Sequence, residues 1–192
     1  MMSHEILSFL RAWTRNPLHV GAIAPSGPGL AEVITREISV SEAPVIELGA
    51  GTGAFTQALL SRGLREQDLA LVESTSDFAH MLERRFPEAR LLRIDAAHLS
   101  RYELFGPSAA GAVISGLPLL SMPVRKTISI LRGAFHQLRP GGAFYQFTYG
   151  PRCPVGRRIL DRLGLRARRI GGVLLNVPPA AVYRITRRQA LS

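Results

Sequence analysis

The sequence has 192 residues, 46% of them hydrophobic, which is enough for the core of one domain and too many for a disordered chain. Its single cysteine, Cys153, excludes an internal disulfide and a multi-cysteine zinc site, and no apolar run reaches the roughly 18–20 residues of a membrane span. The net charge is +10, and residues 104–192 hold 14 basic residues and one acidic residue, which indicates either arginine-rich codon usage or a polyanionic partner, nucleic acid or an anionic membrane surface.

The first predicted element is an amphipathic helix that begins at Ser3, a favourable N-cap, and ends before Pro17. Its apolar side chains form one stripe with two arginines beside it: Ile6, Phe9, Leu10 and Trp13, flanked by Arg11 and Arg15. Such a stripe is typical of a helix in a membrane interface, and it also suits a helix that packs on the protein's own core. We predict a single domain over 1–192, with 1–26 as amphipathic helix and lid and 27–192 as core.

Strands and helices alternate along the rest of the chain. Short apolar runs predict strands over residues 44–48, 69–73, 90–94, 111–115, 143–148, 166–170 and 180–186. Apolar residues at helical spacing, bounded by capping residues, Gly or Pro, predict helices over residues 26–38, 53–62, 74–86, 123–138 and 153–163. This alternation predicts a parallel α/β sheet, in which ligands bind beyond the carboxyl ends of the strands.

Three successive strand ends carry residues suited to a nucleoside. The first strand runs into a glycine turn, Gly49–Gly53, with the spacing G-x-G-x-G, whereas dinucleotide-binding turns have G-x-G-x-x-G. The second strand ends in Glu73, which can accept hydrogen bonds from a ribose, and the third ends in Asp95 and Ala96, which can hold an adenine. Each feature alone also fits an ordinary turn or a solvated acid, but the ordered set predicts a nucleoside cofactor other than NAD.

Together these strand ends resemble those of the class I S-adenosylmethionine-dependent methyltransferases, over residues 44–186. The resemblance implies a Rossmann-like, mostly parallel seven-stranded sheet with helices on both faces and an antiparallel last strand. It implies S-adenosylmethionine as the cofactor, S-adenosylhomocysteine as the product, and no metal. It also implies a cofactor site built from Glu47, Gly49, Ala50, Gly51, Gly53, Glu73, Ser74, Asp95, Ala96 and Ser115.

The segment after the fourth strand, residues 115–119, carries information about the methyl acceptor. It resembles the Asn/Asp-x-Pro-aromatic motif of enzymes that methylate amino nitrogen, but Gly116 stands at the Asn position and Leu119 at the aromatic position. The segment therefore lacks the amide and the stacking ring that would hold a nucleobase. We expect a nitrogen acceptor without a flat ring.

Four further segments narrow the resemblance: residues 20–26, 115–121, 146–150 and 176–180. With the glycine turn they closely resemble the small bacterial phospholipid N-methyltransferases, over nearly the whole chain. That family methylates phosphatidylethanolamine and its mono- and dimethyl derivatives toward phosphatidylcholine, and an ornithine-lipid N-methylating branch looks similar. The alternatives are an RNA adenine N-methyltransferase and a basic cofactor-binding module without turnover.

The resemblance implies a phospholipid substrate, and we expect Ser115, Gly116 and Tyr149 to be the catalytic residues around the amine. His19 and His98 are weaker candidates for a base. We expect a monomer that is cytoplasmic, attached peripherally to the inner face of the cell membrane and without a nucleic-acid partner. Its contacts with the anionic surface would be the N-terminal helix and a C-terminal arginine cluster: Arg152, Arg157, Arg158, Arg162, Arg166, Arg168 and Arg169.

Overall fold

The computed structural model describes residues 27–106, 109–150, 152–173 and 179–188, so the predicted N-terminal helix and His19 lie outside the described residues. The helices are α1 (Pro28–Thr35), α2 (Ala54–Ser61), α3 (Ser76–Arg85), α4 (Val124–Gln137) and α5 (Arg157–Arg162). The strands are β1 (Val45–Leu48), β2 (Leu69–Val72), β3 (Arg90–Leu92), β4 (Ala110–Ser115), β5 (Leu138–Tyr149), β6 (Leu165–Val173) and β7 (Ala180–Arg187). Short 3₁₀ helices cover Val40–Glu42, Glu66–Asp68, Ala96–Arg101 and Leu119–Ser121.

The seven strands form one sheet in the order β3-β2-β1-β4-β5-β7-β6. The first five strands are parallel, whereas β7 runs antiparallel to both of its neighbours, β5 and β6. The predicted mostly parallel, Rossmann-like sheet with an antiparallel last strand is therefore confirmed. Because β6 runs in the same direction as β5, the carboxyl ends of β1 to β6 all meet at one edge of the sheet, which we call the upper edge.

Helices cover both faces of the sheet, as predicted. On one face α1, α2 and α3 contribute Ile34, Leu59 and Leu82 to the core, and on the other α4 contributes Ile130 beside Leu99 of a 3₁₀ helix. Every residue of β1, β2 and β4 is buried, because their side chains meet helices on both sides. These central strands are the rigid part of the fold from which the loops of the upper edge extend.

Three of the differences between the structure and the sequence-based elements concern β5, α5 and the segment after β3. The strand predicted over 143–148 begins at Leu138, directly after α4, and a register shift against β4 accommodates Gly141, whose φ is +81°. The helix predicted over 153–163 covers only Arg157–Arg162. A 3₁₀ helix, Ala96–Arg101, follows β3 where no helix was predicted; it begins at Asp95, whose side chain accepts a hydrogen bond from Ala97 N. Across the described ranges, no helix combines the length and apolar character needed to span a bilayer.

Candidate active site

A cleft opens at the upper edge of the sheet, beyond the carboxyl ends of β1, β2 and β4. Its wall is formed by Gly49, Gly51, Val72, Glu73, Ser74, Thr75, Phe78, Ile94, Asp95, Ala96, Gly116, Leu117, Pro118, Met122 and Lys126. Seven of the residues predicted for the site are among them: Gly49, Gly51, Glu73, Ser74, Asp95, Ala96 and Gly116. The cleft therefore brings together the three strand ends and the acceptor segment, which lie far apart in the sequence.

The glycine turn after β1 needs glycine for two different reasons. Gly49 and Gly51 have φ values of +70° and +53°, a region that L side chains rarely adopt. A Cβ at Gly49 would lie 2.7 Å from Leu117 Cδ2, so glycine here lets the turn touch the acceptor segment. At Gly51 the nearest protein atom to a Cβ would be Gly49 O at 4.0 Å, so a side chain there would extend into the cleft instead.

Glu73 ties the loop after β2 to the glycine turn. One of its carboxyl oxygens, Oε2, accepts a hydrogen bond from Gly51 N at 3.0 Å, and the other, Oε1, accepts one from Thr75 N at 2.8 Å. The residue is 6% exposed and still lines the cleft. Because each carboxylate oxygen can accept two hydrogen bonds, Glu73 retains acceptor capacity toward a ligand while it orders both loops.

Asp95 lies at the other end of the cleft, where the 3₁₀ helix begins. Its Oδ1 accepts a hydrogen bond from Ala97 N at 2.9 Å, and its Oδ2 pairs with Lys126 Nζ at 2.6 Å. Partial burial acts to raise the pKa of Asp95, but the hydrogen bonds from Lys126 and Ala97, with the charges of Lys126 and His98, outweigh it and lower the pKa below its usual value. Asp95 is thus held as a carboxylate beside the cleft, and His98 is not among the residues that line the cleft.

The acceptor segment packs directly on the glycine turn. Gly116 N donates to Leu48 O at 2.8 Å, and a Cβ at Gly116 would lie 2.6 Å from Gly49 O. Since that neighbour is a backbone atom, it cannot rotate away. Gly116, which departs from the Asn of the N-methylation motif, is therefore the residue that allows the segment to approach the turn this closely.

Two polar side chains hold the acceptor segment from behind. Ser115 is fully buried, and its Oγ accepts a hydrogen bond from Leu117 N at 3.3 Å. Gln146 on β5 is also fully buried; its Nε2 donates to Leu117 O at 2.9 Å and to Phe147 O at 2.8 Å, and its Oε1 has no hydrogen-bond partner. With its amide nitrogen fixed between two carbonyl groups, Gln146 places an acceptor oxygen in the protein interior next to this segment.

Five predicted site residues do not lie on the cleft wall: Glu47, Ala50, Gly53, Ser115 and Tyr149. Ala50 and Gly53 are buried behind the glycine turn, where a Cβ at Gly53 would meet the Phe86 ring at 2.5 Å. Tyr149 is 9% exposed and packs edge-to-face on Phe147, with ring centroids 5.4 Å apart. These residues shape the site from behind the wall, and a direct role for them at the ligand stays a prediction.

Glu47 is a buried acid in the middle of the sheet. It is 1% exposed; its Oε2 accepts a hydrogen bond from Thr56 Oγ1 at 2.5 Å, and its Oε1 has no partner. Burial raises the pKa of Glu47 to about 8, since the opposing effect of the Thr56 hydrogen bond is smaller and the charge of Glu73 adds to the rise. Glu47 is therefore protonated at neutral pH; it hydrogen-bonds to Thr56 on α2 and is not among the residues that line the cleft.

Comparison with known proteins identifies the family. No model of a known protein family matches the chain. The chain is, however, 31% identical over 152 residues to the ornithine lipid N-methyltransferase of Singulisphaera acidiphila, an alignment that covers 77% of this chain and 79% of that enzyme. The chain belongs to the same methyltransferase family.

Other comparisons agree on the methyltransferase fold. The chain is 40% identical over 107 residues to the ribosomal RNA small subunit methyltransferase A of Anaeromyxobacter dehalogenans, which covers 50% of this methyltransferase and 36% of that enzyme. A TehB-like SAM-dependent methyltransferase from Corynebacterium glutamicum superposes with a TM-score of 0.64 at 14% identity, covering 94% of this chain and 99% of that one. A Burkholderia thailandensis 1,6-didemethyltoxoflavin-N1-methyltransferase superposes with a TM-score of 0.66 at 17% identity, covering 97% of this chain and 90% of that one. The fold is that of the class I S-adenosylmethionine-dependent methyltransferases.

The cleft of this methyltransferase fits S-adenosylmethionine by its own chemistry. Glu73 has acceptor capacity for ribose hydroxyls, and Asp95 has a carboxylate oxygen suited to an adenine amine. Ile94 and Met122 supply apolar surface for a flat base, and the space beside Gly51 is open. Among the described residues, no group of three or more His, Cys, Asp or Glu is arranged to hold a metal ion.

The raised pKa of Glu47 leads to a pH-dependent stability. Between the ordinary value of 4.5 and about 8 the folded protein keeps a proton that the unfolded chain releases, so the free energy of unfolding falls as pH rises, by about 1.4 kcal/mol per pH unit at most. We expect Glu47→Gln to remove this slope. The free energy of unfolding of the variant should therefore rise relative to that of the wild type between about pH 5 and pH 8.

Urea denaturation of both proteins at the two pH values measures this effect. The exposed Glu103→Gln is the control and should parallel the wild type at both pH values. If Glu47→Gln and the wild type lose stability equally as pH rises, Glu47 is not the buried protonated acid described above.

Proposed function

We propose that this methyltransferase transfers methyl groups to the amino nitrogen of a membrane lipid. The observation that carries the proposal is the family relationship to an ornithine lipid N-methyltransferase over 77% of the chain, which favours ornithine lipid as the acceptor. Phosphatidylethanolamine, the acceptor expected from the sequence, carries the same kind of primary amine and is the second candidate. We further propose that the enzyme acts as a monomer at the cytoplasmic face of the membrane.

The acceptor segment supports an amine without a flat ring. Leu119, at the position where base-methylating enzymes have an aromatic residue, is 3% exposed and belongs to the core under the segment. Gly116, at the position of the Asn, offers no side-chain amide. The part of the cleft wall next to Pro118 therefore lacks both groups that orient a nucleobase, although a ribosomal RNA methyltransferase is among the relatives.

The chemistry requires mainly positioning. S-adenosylmethionine, when bound, supplies an electrophilic methyl group on a positively charged sulfur. The acceptor nitrogen would have to approach it as a neutral amine, with its ammonium proton released to solvent, so that its lone pair could form the C–N bond as the C–S bond breaks. Backbone carbonyl groups of the acceptor segment can accept hydrogen bonds from the amine N–H groups and align the lone pair. Gly116 and Gln146 serve this step by fixing that segment against the glycine turn.

We expect only some arginines of the cluster to contact anionic lipids. Since α5 connects the upper end of β5 to the lower end of β6, Arg157 lies at the start of this connection and Arg166 at the far end. The N-terminal helix that was predicted to assist lies outside the described residues. We propose that the arginines nearest the upper edge, Arg152, Arg157 and Arg158, meet lipid phosphates.

A direct assay tests the function. Purified enzyme is incubated with methyl-labelled S-adenosylmethionine and, separately, with vesicles containing ornithine lipid, vesicles containing phosphatidylethanolamine, and ribosomal RNA. We expect label in the lipid extract, most with ornithine lipid, and none in RNA. Label in RNA without label in either lipid contradicts the proposal, and preferential labelling of phosphatidylethanolamine reverses the order of the two acceptors.

A further inference from the structure

Two exposed apolar side chains lie beside the mouth of the cleft. In the described part of the chain, the large apolar residues that remain exposed are Val40, Tyr102, Leu120 and Val124. Leu120 is 47% exposed and Val124 is 60% exposed, and both belong to the segment 117–124, which we call the lip. Leu120 and Val124 lie four residues apart in the segment that borders the site, which points to a contact surface there.

The fold holds these side chains outward. The lip makes a 3₁₀ turn, Leu119–Ser121, in which Ser121 N and Ser121 Oγ both donate to Pro118 O at 3.0 Å. Leu119 is buried in the core, and this anchors the turn and leaves Leu120 on the outside. The exposure of Leu120 is therefore a consequence of a hydrogen-bonded turn rather than of a loose loop.

The outer face of the lip continues into the cleft. Leu117, Pro118 and Met122 line the cleft wall, whereas Leu120 and Val124 lie outside it in the same eight-residue segment. A molecule that touches Leu120 thus lies next to the place where the acceptor nitrogen must enter. The lip connects an apolar outer surface with the polar interior of the site.

The charge around the lip favours a partner with an anionic surface and an apolar interior, such as a lipid bilayer. The exposed Arg125 follows Val124, the sequence contains no Asp or Glu between Glu103 and Asp161, and the nearby carboxylate of Asp95 is paired with Lys126. Apolar side chains next to basic ones are typical of segments that enter the headgroup region of a bilayer, to a depth of roughly 5–10 Å.

We propose that the lip, residues 117–124, inserts into the headgroup region of the lipid bilayer and brings the cleft to the acceptor amine. The proposal rests on the proposed function, because a lipid amine is carried on a short headgroup and reaches the cleft only if the residues at its mouth touch the bilayer. Leu120 and Val124 then contact the upper acyl region, while Arg125 contacts phosphate.

The double variant Leu120→Asp/Val124→Asp tests the lip, with Val40→Asp as the matched control. Val40 is 57% exposed but precedes β1, at the edge of the sheet opposite the cleft. Vesicles of phosphatidylglycerol with ornithine lipid or phosphatidylethanolamine serve as membrane, and S-adenosylhomocysteine affinity is measured by calorimetry. We expect the double variant to lose roughly tenfold in vesicle binding and vesicle methylation, with unchanged S-adenosylhomocysteine affinity, and the control to match the wild type.

A water-soluble short-chain lipid with the same headgroup separates the two proposals. Methylation of this lipid by the double variant at the wild-type rate, together with poor methylation of vesicles, supports the lip as a membrane contact. Vesicle binding of the double variant equal to that of the wild type overturns the inference while leaving the proposed function intact. If the wild type methylates neither form of lipid, the proposed function fails, and the vesicle-binding comparison still decides whether the lip touches membranes.

Discussion

Gly51→Val is expected to abolish cofactor binding while the protein remains folded. Apart from its chain neighbours, a Cβ at this position would have no protein atom closer than 4.0 Å, and Gly51 lines the cleft, so we expect the side chain to occupy the space of the cofactor. The backbone of this β-branched residue would also have to adopt a φ of +53°, which costs roughly 1–3 kcal/mol of stability. Calorimetric titration with S-adenosylhomocysteine measures the binding, and thermal unfolding measures the stability.

The control variant Gly141→Val distinguishes the effect of backbone strain from the effect of a side chain that blocks the cofactor site. Gly141 has a φ of +81° and open space around it, but it lies at the register shift in β5 and not on the cleft wall. We expect the two variants to be similarly destabilised, and only Gly51→Val to lose binding. Normal affinity in Gly51→Val would place the cofactor somewhere other than over the glycine turn.

Glu73→Gln is expected to weaken cofactor binding by two orders of magnitude or more. The carboxyl group accepts hydrogen bonds from two backbone N–H groups, Gly51 N and Thr75 N, whereas an amide presents one oxygen and one NH₂ group. One of the two loops must therefore detach, and the ribose hydroxyls lose an acceptor. Each lost hydrogen bond to a charged group is worth roughly 1.5–3 kcal/mol.

The control for this variant is Glu83→Gln. Glu83 is exposed and pairs with Arg93 on the surface of α3, away from the cleft wall, so the same chemical change there should leave the affinity for S-adenosylhomocysteine unaltered. Amide hydrogen exchange at Gly51 and Thr75 adds a second measurement, since we expect both to exchange faster in Glu73→Gln. Wild-type affinity combined with unchanged exchange would contradict the role given to Glu73.

Much of the fold was predictable because it depends on local patterns. Apolar runs of four to six residues marked β1, β2 and β4, which are buried on both faces; the run of β1 is interrupted only by Glu47. The shorter β3 and the 3₁₀ helix after it were less clear, since only the last residue of β3 is buried and the helix depends on capping by Asp95. The start of β5 was misplaced because Pro140 and Gly141 suggested a turn, whereas the sheet absorbs them at a register shift.

The candidate site was predictable where it lies at strand ends and not where it depends on distant pairs. Glu73 and Asp95 each close a predicted strand and line the cleft, as the sequence indicated. Lys126 pairs with Asp95 across 31 residues, and Gln146 reaches Leu117 across 29 residues. No periodicity in the sequence connects such positions, although Lys126, as the one lysine of the chain, was a distinctive residue.

Glu47 illustrates a different limit of sequence reasoning. The motif placed an acid at the end of β1, but the strand register decides which way its side chain points. In the structure it points to Thr56 on α2, so the acid is buried behind the wall. A position within a motif therefore identified the residue without identifying its environment.

Part of the arginine cluster lies on the edge strand β6, where it has a role unrelated to lipids. It is the last strand of the sheet, carries Arg166, Arg168 and Arg169, and has an irregular register between Arg169 and Gly171. A free sheet border offers backbone groups to the border of another molecule, and charged side chains and bulges prevent such pairing. Such pairing is the first step of edge-to-edge aggregation, so these arginines and the irregular register protect the border of the sheet from it.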